Sequence, residues 1–82
     1  MKFSQEYQSL NNVIEKLRVK LEALEDKISE REDTFYNRSE KWQESVKGEE
    51  YSEKTQELED VAGQLQDIID QLEDSAASLE EL

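Results

Sequence analysis

Apolar residues recur along the first half of the chain with alternating gaps of four and three residues. We label the two rows by heptad position. Position a holds Tyr7, Ile14, Leu21, Ile28, Phe35 and Trp42, and position d holds Phe3, Leu10, Leu17, Leu24, Arg31 and Arg38. A 3.5-residue repeat sustained over about six heptads is typical of a helix that packs against another helix. The pattern predicts a long helix over about residues 4–46.

A second heptad repeat begins after Gly48, in a new register. Its d row holds Tyr51, Leu58, Leu65, Leu72 and Leu79, and its a row holds Thr55, Ala62, Ile69 and Ala76. Val61, Ile68 and Leu82 add apolar side chains at position g, and a stripe this wide packs against more than one neighbour. Glycine is the residue most often found just past a helix end. Gly48 therefore predicts a turn over about residues 46–49 and a second helix over about residues 50–81.

Two helices joined by a short turn run antiparallel, so the sequence predicts an all-α antiparallel helical hairpin formed by one unit, residues 1–82. Antiparallel packing places position a of one helix opposite position d of the other. A turn centred near residues 46–47 gives these pairs: Trp42 with Tyr51, Arg38 with Thr55, Phe35 with Leu58, and Arg31 with Ala62. Phe3, Tyr7 and Leu10 then project beyond the partner helix. We expect this overhang, together with Val61 and Ile68, to assemble the hairpin into a homo-oligomeric helical bundle.

An interruption of the first helix is the alternative topology. Asn37 is followed three residues later by Glu40, which resembles a capping box. The first helix would then break near Tyr36, with a kink or short extra helix near residues 37–46. The sequence leaves both topologies open.

The composition supports self-association. Of the 82 residues, 39% are charged and only 34% are hydrophobic. Ordering each residue costs about 1.5 kcal/mol, so a lone hairpin with one apolar stripe has a net stability near zero. No apolar run approaches the roughly 20 residues that span a bilayer, and the N-terminus lacks the apolar core of a signal peptide. We therefore expect no membrane partner and a cytoplasmic protein.

The net charge of −12 is unevenly distributed. Residues 1–48 hold nine basic and ten acidic side chains, whereas residues 49–82 hold twelve acids and a single base, Lys54. Such a surface repels nucleic acid, so we expect no direct DNA binding. The chain has no His and no Cys, which removes the imidazole base and the thiolate nucleophile. We expect no enzymatic activity, no cofactor and no metal site.

Two arginines occupy d positions where leucine is usual. In one interpretation Arg31 and Arg38 only fix the register and oligomeric state. In the other they form a ligand pocket, because guanidinium groups bind phosphate and aromatic rings stack on a ring-bearing ligand. The pocket residues would be Arg31, Phe35, Arg38, Trp42, Tyr51 and Thr55. This hypothesis predicts sequestration of a small anionic nucleotide.

The second helix suggests a rival function. Acids repeat every seven residues at its outer f position, namely Glu53, Asp60, Asp67, Asp74 and Glu81. Such a ridge is usually a solvated face, but it could also imitate DNA and inhibit a host nuclease or defence protein. A third hypothesis is a structural coiled-coil adaptor whose ends dock another helix.

The segment YNRSEKWQESVKGEE carries a resemblance to a known group. It is similar to the middle of small acidic proteins of phage and prophage genomes, which have a long helix, an N-x-P-E-S-L-Q-like kink, a basic-Gly-Glu turn and a last helix rich in Ile, Leu and Glu. The matching positions are Asn37, Glu40, Gln43, Ser45, Lys47, Gly48 and Glu49, whereas Ser39 replaces the Pro and Trp42 replaces the Leu. The resemblance covers about half the chain. It implies a phage accessory protein of uncharacterised role and no particular activity. In such a protein we expect the Arg and aromatic pocket to serve counter-defence, by sequestering a cyclic nucleotide signal of host immunity in the host cytoplasm.

Overall fold

The computed structural model describes residues 2–82 as an extended all-α hairpin. Helix α1 (Ser4–Tyr36) is followed by a single helical turn, α2 (Glu40–Gln43), and by helix α3 (Val46–Glu81). The two long helices pack against each other along a molecule that measures 62 × 14 × 11 Å. This confirms the predicted all-α helical hairpin. No helix within residues 2–82 combines the length and apolar character needed to cross a membrane.

The first helix breaks at Tyr36, as the alternative topology predicted. Asn37 does not cap the new helix, because Ser39 takes that position in extended conformation. Its hydroxyl accepts a hydrogen bond from the Trp42 amide at 3.2 Å, and the Gln43 side chain donates to the Arg38 carbonyl at 2.9 Å. These bonds satisfy backbone groups that a helix end leaves free. The chain therefore turns around α2 and does not continue as one helix to residue 46.

The predicted turn at residues 46–49 is wrong. Ser45 is the N-cap of α3 and its hydroxyl accepts a hydrogen bond from the Gly48 amide at 3.2 Å. Gly48 is buried inside the first turn of α3 and has no positive φ. A Cβ at this residue would lie 2.6 Å from the Gln43 carbonyl oxygen and closer still to that of Trp42. Gly48 is thus needed for the close approach of α2 and does not end a helix.

The register between the long helices differs from the predicted one by a heptad. Arg31 Nε donates to Thr55 Oγ1 at 2.9 Å, whereas the predicted partner of Arg31 was Ala62 and that of Thr55 was Arg38. The shift arises because the connection is centred on α2, nearer the N-terminus than expected. Position a still faces position d.

This shift removes the predicted overhang. Tyr7 and Leu10 pack against the buried core, because the last turns of α3 now run beside them. Phe3 is half-buried. Val61 and Ile68, also predicted at an interface, are each 48% exposed in the single chain.

The buried core lies on the a side of the hairpin. Helix α3 buries one residue per heptad: Gly48, Thr55, Ala62, Ile69 and Ala76. Helix α1 buries Ile14 and Leu21 at its own a positions. Small side chains in the α3 row allow the helix axes to approach closely. The leucines at d are only half-buried in both helices, so the opposite side of the hairpin is more open.

Candidate functional site

The closed end of the hairpin gathers the six residues predicted as a site. We call them the tip cluster: Arg31, Phe35, Arg38, Trp42, Tyr51 and Thr55. The last turns of α1 supply Arg31 and Phe35, and the first turns of α3 supply Tyr51 and Thr55. Arg38 lies in the connection and Trp42 in α2. The break in the first helix therefore brings three elements together at the tip.

Trp42 is the centre of an aromatic chain. Its ring centroid lies 5.8 Å from that of Phe35 and 5.6 Å from that of Tyr51, with interplanar angles of 60° and 66°. Edge-to-face pairs of this kind contribute about 0.5–1.5 kcal/mol beyond their buried area. The Tyr36 ring makes a further edge-to-face contact with Phe35, with 5.3 Å between the ring centroids. Tyr36 itself is 72% exposed. The rings thus hold α1, α2 and α3 together.

Arg31 is bound within the protein. Its guanidinium carbon lies 3.9 Å from the centre of the Tyr51 ring. Its Nε donates to the Thr55 hydroxyl at 2.9 Å and one terminal nitrogen donates to the Tyr51 carbonyl at 3.1 Å. The Thr55 hydroxyl in turn donates to the same carbonyl at 3.1 Å. Arg31 therefore links α1 to α3, which is the geometry expected of a residue that fixes register.

Arg38 is placed differently. Its guanidinium carbon lies 4.3 Å from the centre of the Trp42 ring, and the residue is exposed. Within residues 2–82 its side chain makes no ion pair and donates no hydrogen bond. Acidic residues follow in the chain close to Arg38, at Glu40 and Glu44, but neither forms an ion pair with it. Arg38 thus presents a cation that is oriented by an aromatic ring and has free donors.

Concave surfaces flank the tip cluster on two sides. One, of about 220 Å³, is lined by Phe35 and Thr55 together with the acids Glu32 and Glu59. The other, of about 400 Å³, is lined by Arg31 and Tyr51 together with further residues of α1, namely Lys27, Glu30, Asp33 and Thr34. The six predicted residues are therefore connected, but they do not line a single cavity. Arg31 and the cavity lined by Glu32 and Glu59 lie on different sides, and Arg38 and Trp42 line neither surface.

Glu32 and Glu59 form a carboxyl pair that the sequence analysis missed. Both occupy e positions, which face each other across an antiparallel hairpin. The nearby Glu32 carboxyl group, which can share a proton with Glu59, raises the pKa of Glu59 above its ordinary value, with smaller contributions from desolvation and from the negative charges of Glu32 and Asp60. The heptad pattern, which places both residues at e positions, is the signal that could have found this pair.

No group of three or more potential metal ligands is found within residues 2–82. Comparisons with protein-family models, with curated proteins and with solved structures yield no match for this chain.

Proposed function

We propose that the protein is a non-enzymatic binding protein that captures an anionic group at the hairpin tip. The observation that carries the proposal is the state of Arg38, a guanidinium stacked on Trp42 with no carboxylate partner within residues 2–82. In a chain of net charge −12, an exposed arginine would be expected to recruit one of the many acids. Its isolation leaves its donors available for a ligand.

The guanidinium and aromatic groups at the tip indicate the class of ligand. A guanidinium binds phosphate through paired hydrogen bonds, and aromatic faces or edges receive a base. The half-buried Trp42 ring lies against the Arg38 guanidinium, and the Tyr36 ring, two residues before Arg38 in the chain, is largely exposed. The separate concave surface lined by Arg31 and Tyr51 has a volume of about 400 Å³, which is within the range of small-molecule sites. A small anionic nucleotide matches these features.

The biological role proposed for this capture is counter-defence. The resemblance to phage accessory proteins makes a cyclic nucleotide signal of host immunity the first ligand to test. The protein would sequester the signal without cleaving it, since the chain offers neither a histidine base nor a cysteine nucleophile.

The test is calorimetric titration of the protein with a panel of cyclic di- and trinucleotides. We expect saturable binding by the wild-type protein and at least a tenfold loss of affinity in Arg38→Gln. Arg18→Gln is the matched control, because Arg18 is an arginine of α1 that pairs with Glu73 away from the tip. Absence of binding heat with the whole panel, or equal affinity in Arg38→Gln, would contradict the proposal.

A second candidate function is inhibition of a nucleic-acid-binding protein by imitation of DNA. The favouring observation is the exposed acidic ridge along α3, formed by Glu53, Asp60, Asp67, Asp74 and Glu81. Within residues 2–82, none of these five acids forms an ion pair. Acids at one heptad position repeat about every 10.5 Å along the helix axis, which is wider than the phosphate spacing of DNA.

This candidate is tested by neutralising part of the ridge. Asp60→Asn, Asp67→Asn and Asp74→Asn together should abolish inhibition of a host nuclease or defence protein. Glu6→Gln, Glu22→Gln and Asp26→Gln remove the same charge from exposed positions of α1 and should leave inhibition intact. Inhibition that survives in the ridge variant would exclude the ridge as the inhibitory surface. Binding of a helical partner at the tip, without nucleotide binding, would favour the adaptor hypothesis.

A further inference from the structure

The two apolar rows of the hairpin are buried unequally. The a rows contain the fully buried residues, whereas the d-row leucines of both helices are only half-buried. In a helix the g position adjoins d, and here the g positions carry Val13, Val61 and Ile68 at 47%, 48% and 48% exposure. We call this side the open face, formed by Val13, Leu17, Leu58, Val61, Leu65 and Ile68. It extends the apolar surface around one side of the hairpin.

The open face is also where the strongly acidic chain carries positive charge. Lys20, Lys27 and Lys54 occupy g positions beside it, and Lys27 and Lys54 pair with glutamates of their own helices. The e positions on the opposite edge of the hairpin carry one base, Arg18, which pairs with Glu73, and five acids: Glu25, Glu32, Glu59, Glu73 and Glu80. Two chains of net charge −12 would therefore meet with least repulsion through the open face.

The exposed area of the chain indicates how much surface remains to be covered. A compact monomer of 9.6 kDa is expected to expose about 5,100 Å². The hairpin exposes 6368 Å². The excess of about 1,300 Å² exceeds the roughly 800 Å² that each partner contributes to a standard protein interface. The hairpin thus has enough uncovered surface for a stable dimer.

We propose that the open face packs against the same face of a second copy, giving an antiparallel four-helix bundle centred on Ile68. Along the hairpin, Ile68 lies between Val61, nearer the tip, and Val13, nearer the open end, as the contact between Arg18 and Glu73 requires. A two-fold axis at Ile68 therefore sets Val61 of one copy against Val13 of the other.

Charge selects the antiparallel arrangement of the two hairpins. Lys27 and Lys54 lie toward the tip, whereas the other end, formed by residues 2–20 and 70–82, holds seven acids and four bases and is net acidic. In a parallel dimer the lysines of both copies would adjoin, which is unfavourable. In the antiparallel dimer each lysine pair lies beside the acidic end of the partner, and the two tips are held at opposite ends of the bundle.

Single cysteines provide a direct test, because the chain has none of its own. We expect Ile68→Cys to form a disulfide-linked dimer on mild oxidation, since the two Cβ atoms at a two-fold axis come within reach of about 3.5–4.5 Å. Val19→Cys, at a 63% exposed position away from the open face, is the control and should remain largely uncrosslinked. Crosslinking of Ile68→Cys no faster than that of Val19→Cys would overturn the proposal. Preferential crosslinking of Lys54→Cys would also overturn it, in favour of a parallel dimer.

Sedimentation of the untagged protein supplies the second measurement. The wild-type protein should sediment as a dimer of twice 9.6 kDa, and Val61→Glu with Ile68→Glu should weaken the dimer at least about 100-fold. Circular dichroism of the variant reports whether it stays helical. A helical wild-type monomer at about 100 µM, far above the Kd of a standard interface, would contradict the dimer. Neither measurement involves a nucleotide, so its outcome is separate from that of the proposed function.

Discussion

Arg31 donates a hydrogen bond from Nε to the hydroxyl of Thr55, 2.9 Å away on the opposite helix. Thr55 is buried at an a position of α3, and Arg31 is half-buried at a d position of α1. A shift of one heptad would place Arg31 against Ala62, which offers no side-chain acceptor. Leaving a partly buried polar group without a hydrogen-bond partner costs free energy. The Arg31–Thr55 pair therefore favours the observed register over the one shifted by a heptad.

The first prediction concerns the energy of this pair. Arg31→Met and Thr55→Val each remove one partner, and their effects on the free energy of unfolding should not add. We expect a coupling energy of about 1 kcal/mol from the double-mutant cycle, measured by urea unfolding at a fixed protein concentration. Additive effects would show that the hydrogen bond contributes nothing to stability.

The two glycines give a second prediction with an internal control. Gly48→Ala should destabilise the hairpin by about 2 kcal/mol or more, because the added Cβ meets the Trp42 and Gln43 carbonyls, which are backbone atoms that cannot move aside cheaply. Gly63→Ala should stabilise it by about 0.5–1 kcal/mol, since nothing lies within 4 Å of the added Cβ and alanine is the better helix former. Thermal unfolding of both variants measures the contrast. Equal effects would contradict the close approach at Gly48.

The carboxyl pair predicts a specific dependence on pH. Because its folded pKa is raised, Glu59 contributes stability when protonated, at low pH, and that contribution is lost as the pH rises through the folded pKa. At pH 7 the charges of Glu32 and Glu59 repel each other. Glu59→Gln should therefore unfold at a higher temperature than the wild-type protein at pH 7, and the difference should shrink as the pH falls to about 4.

Glu73→Gln serves as the control for this prediction. It occupies the equivalent heptad position but pairs with Arg18, so its loss should lower the unfolding temperature at pH 7. A destabilising effect of Glu59→Gln at pH 7 would mean that the two carboxyl groups do not oppose each other.

The two tip arginines should differ in their effect on stability. Arg38→Gln removes only an exposed contact with Trp42, and we expect it to change the free energy of unfolding by less than about 1 kcal/mol. Arg31→Gln removes two hydrogen bonds to α3 and should cost more. Chemical unfolding followed by the fluorescence of the single Trp42 gives both values. A larger loss in Arg38→Gln would contradict the division of roles.

The hairpin could be predicted from the sequence because its heptad repeats leave little choice of secondary structure. The register could not, because a glycine marks both helix ends and close backbone approaches, and Gly48 belongs to the second kind. A single residue type does not distinguish them. The N-cap at Ser39 was not predicted either, because Asn37 and Glu40 have the spacing of a capping box, which predicts Asn37 as the cap.

The residues of the tip cluster could be predicted although the predicted register was wrong. Phe35, Trp42 and Tyr51 all lie near the connection, so any short link between the helices gathers them. The heptad pattern alone does not distinguish Arg31 from Arg38, because both occupy d positions, and the sequence left the break near Tyr36 open. Only the break after Tyr36 separates the arginine on the helix from the one in the connection.

The most direct test of the central claim, that Arg38 is held free to bind an anion, is a titration followed by the emission of Trp42, the only tryptophan in the chain. Cyclic dinucleotide added to the wild-type protein should produce a saturable change in emission that is lost in Arg38→Gln and retained in Arg18→Gln. An emission spectrum that does not respond to the ligand in any of the three proteins would contradict the claim.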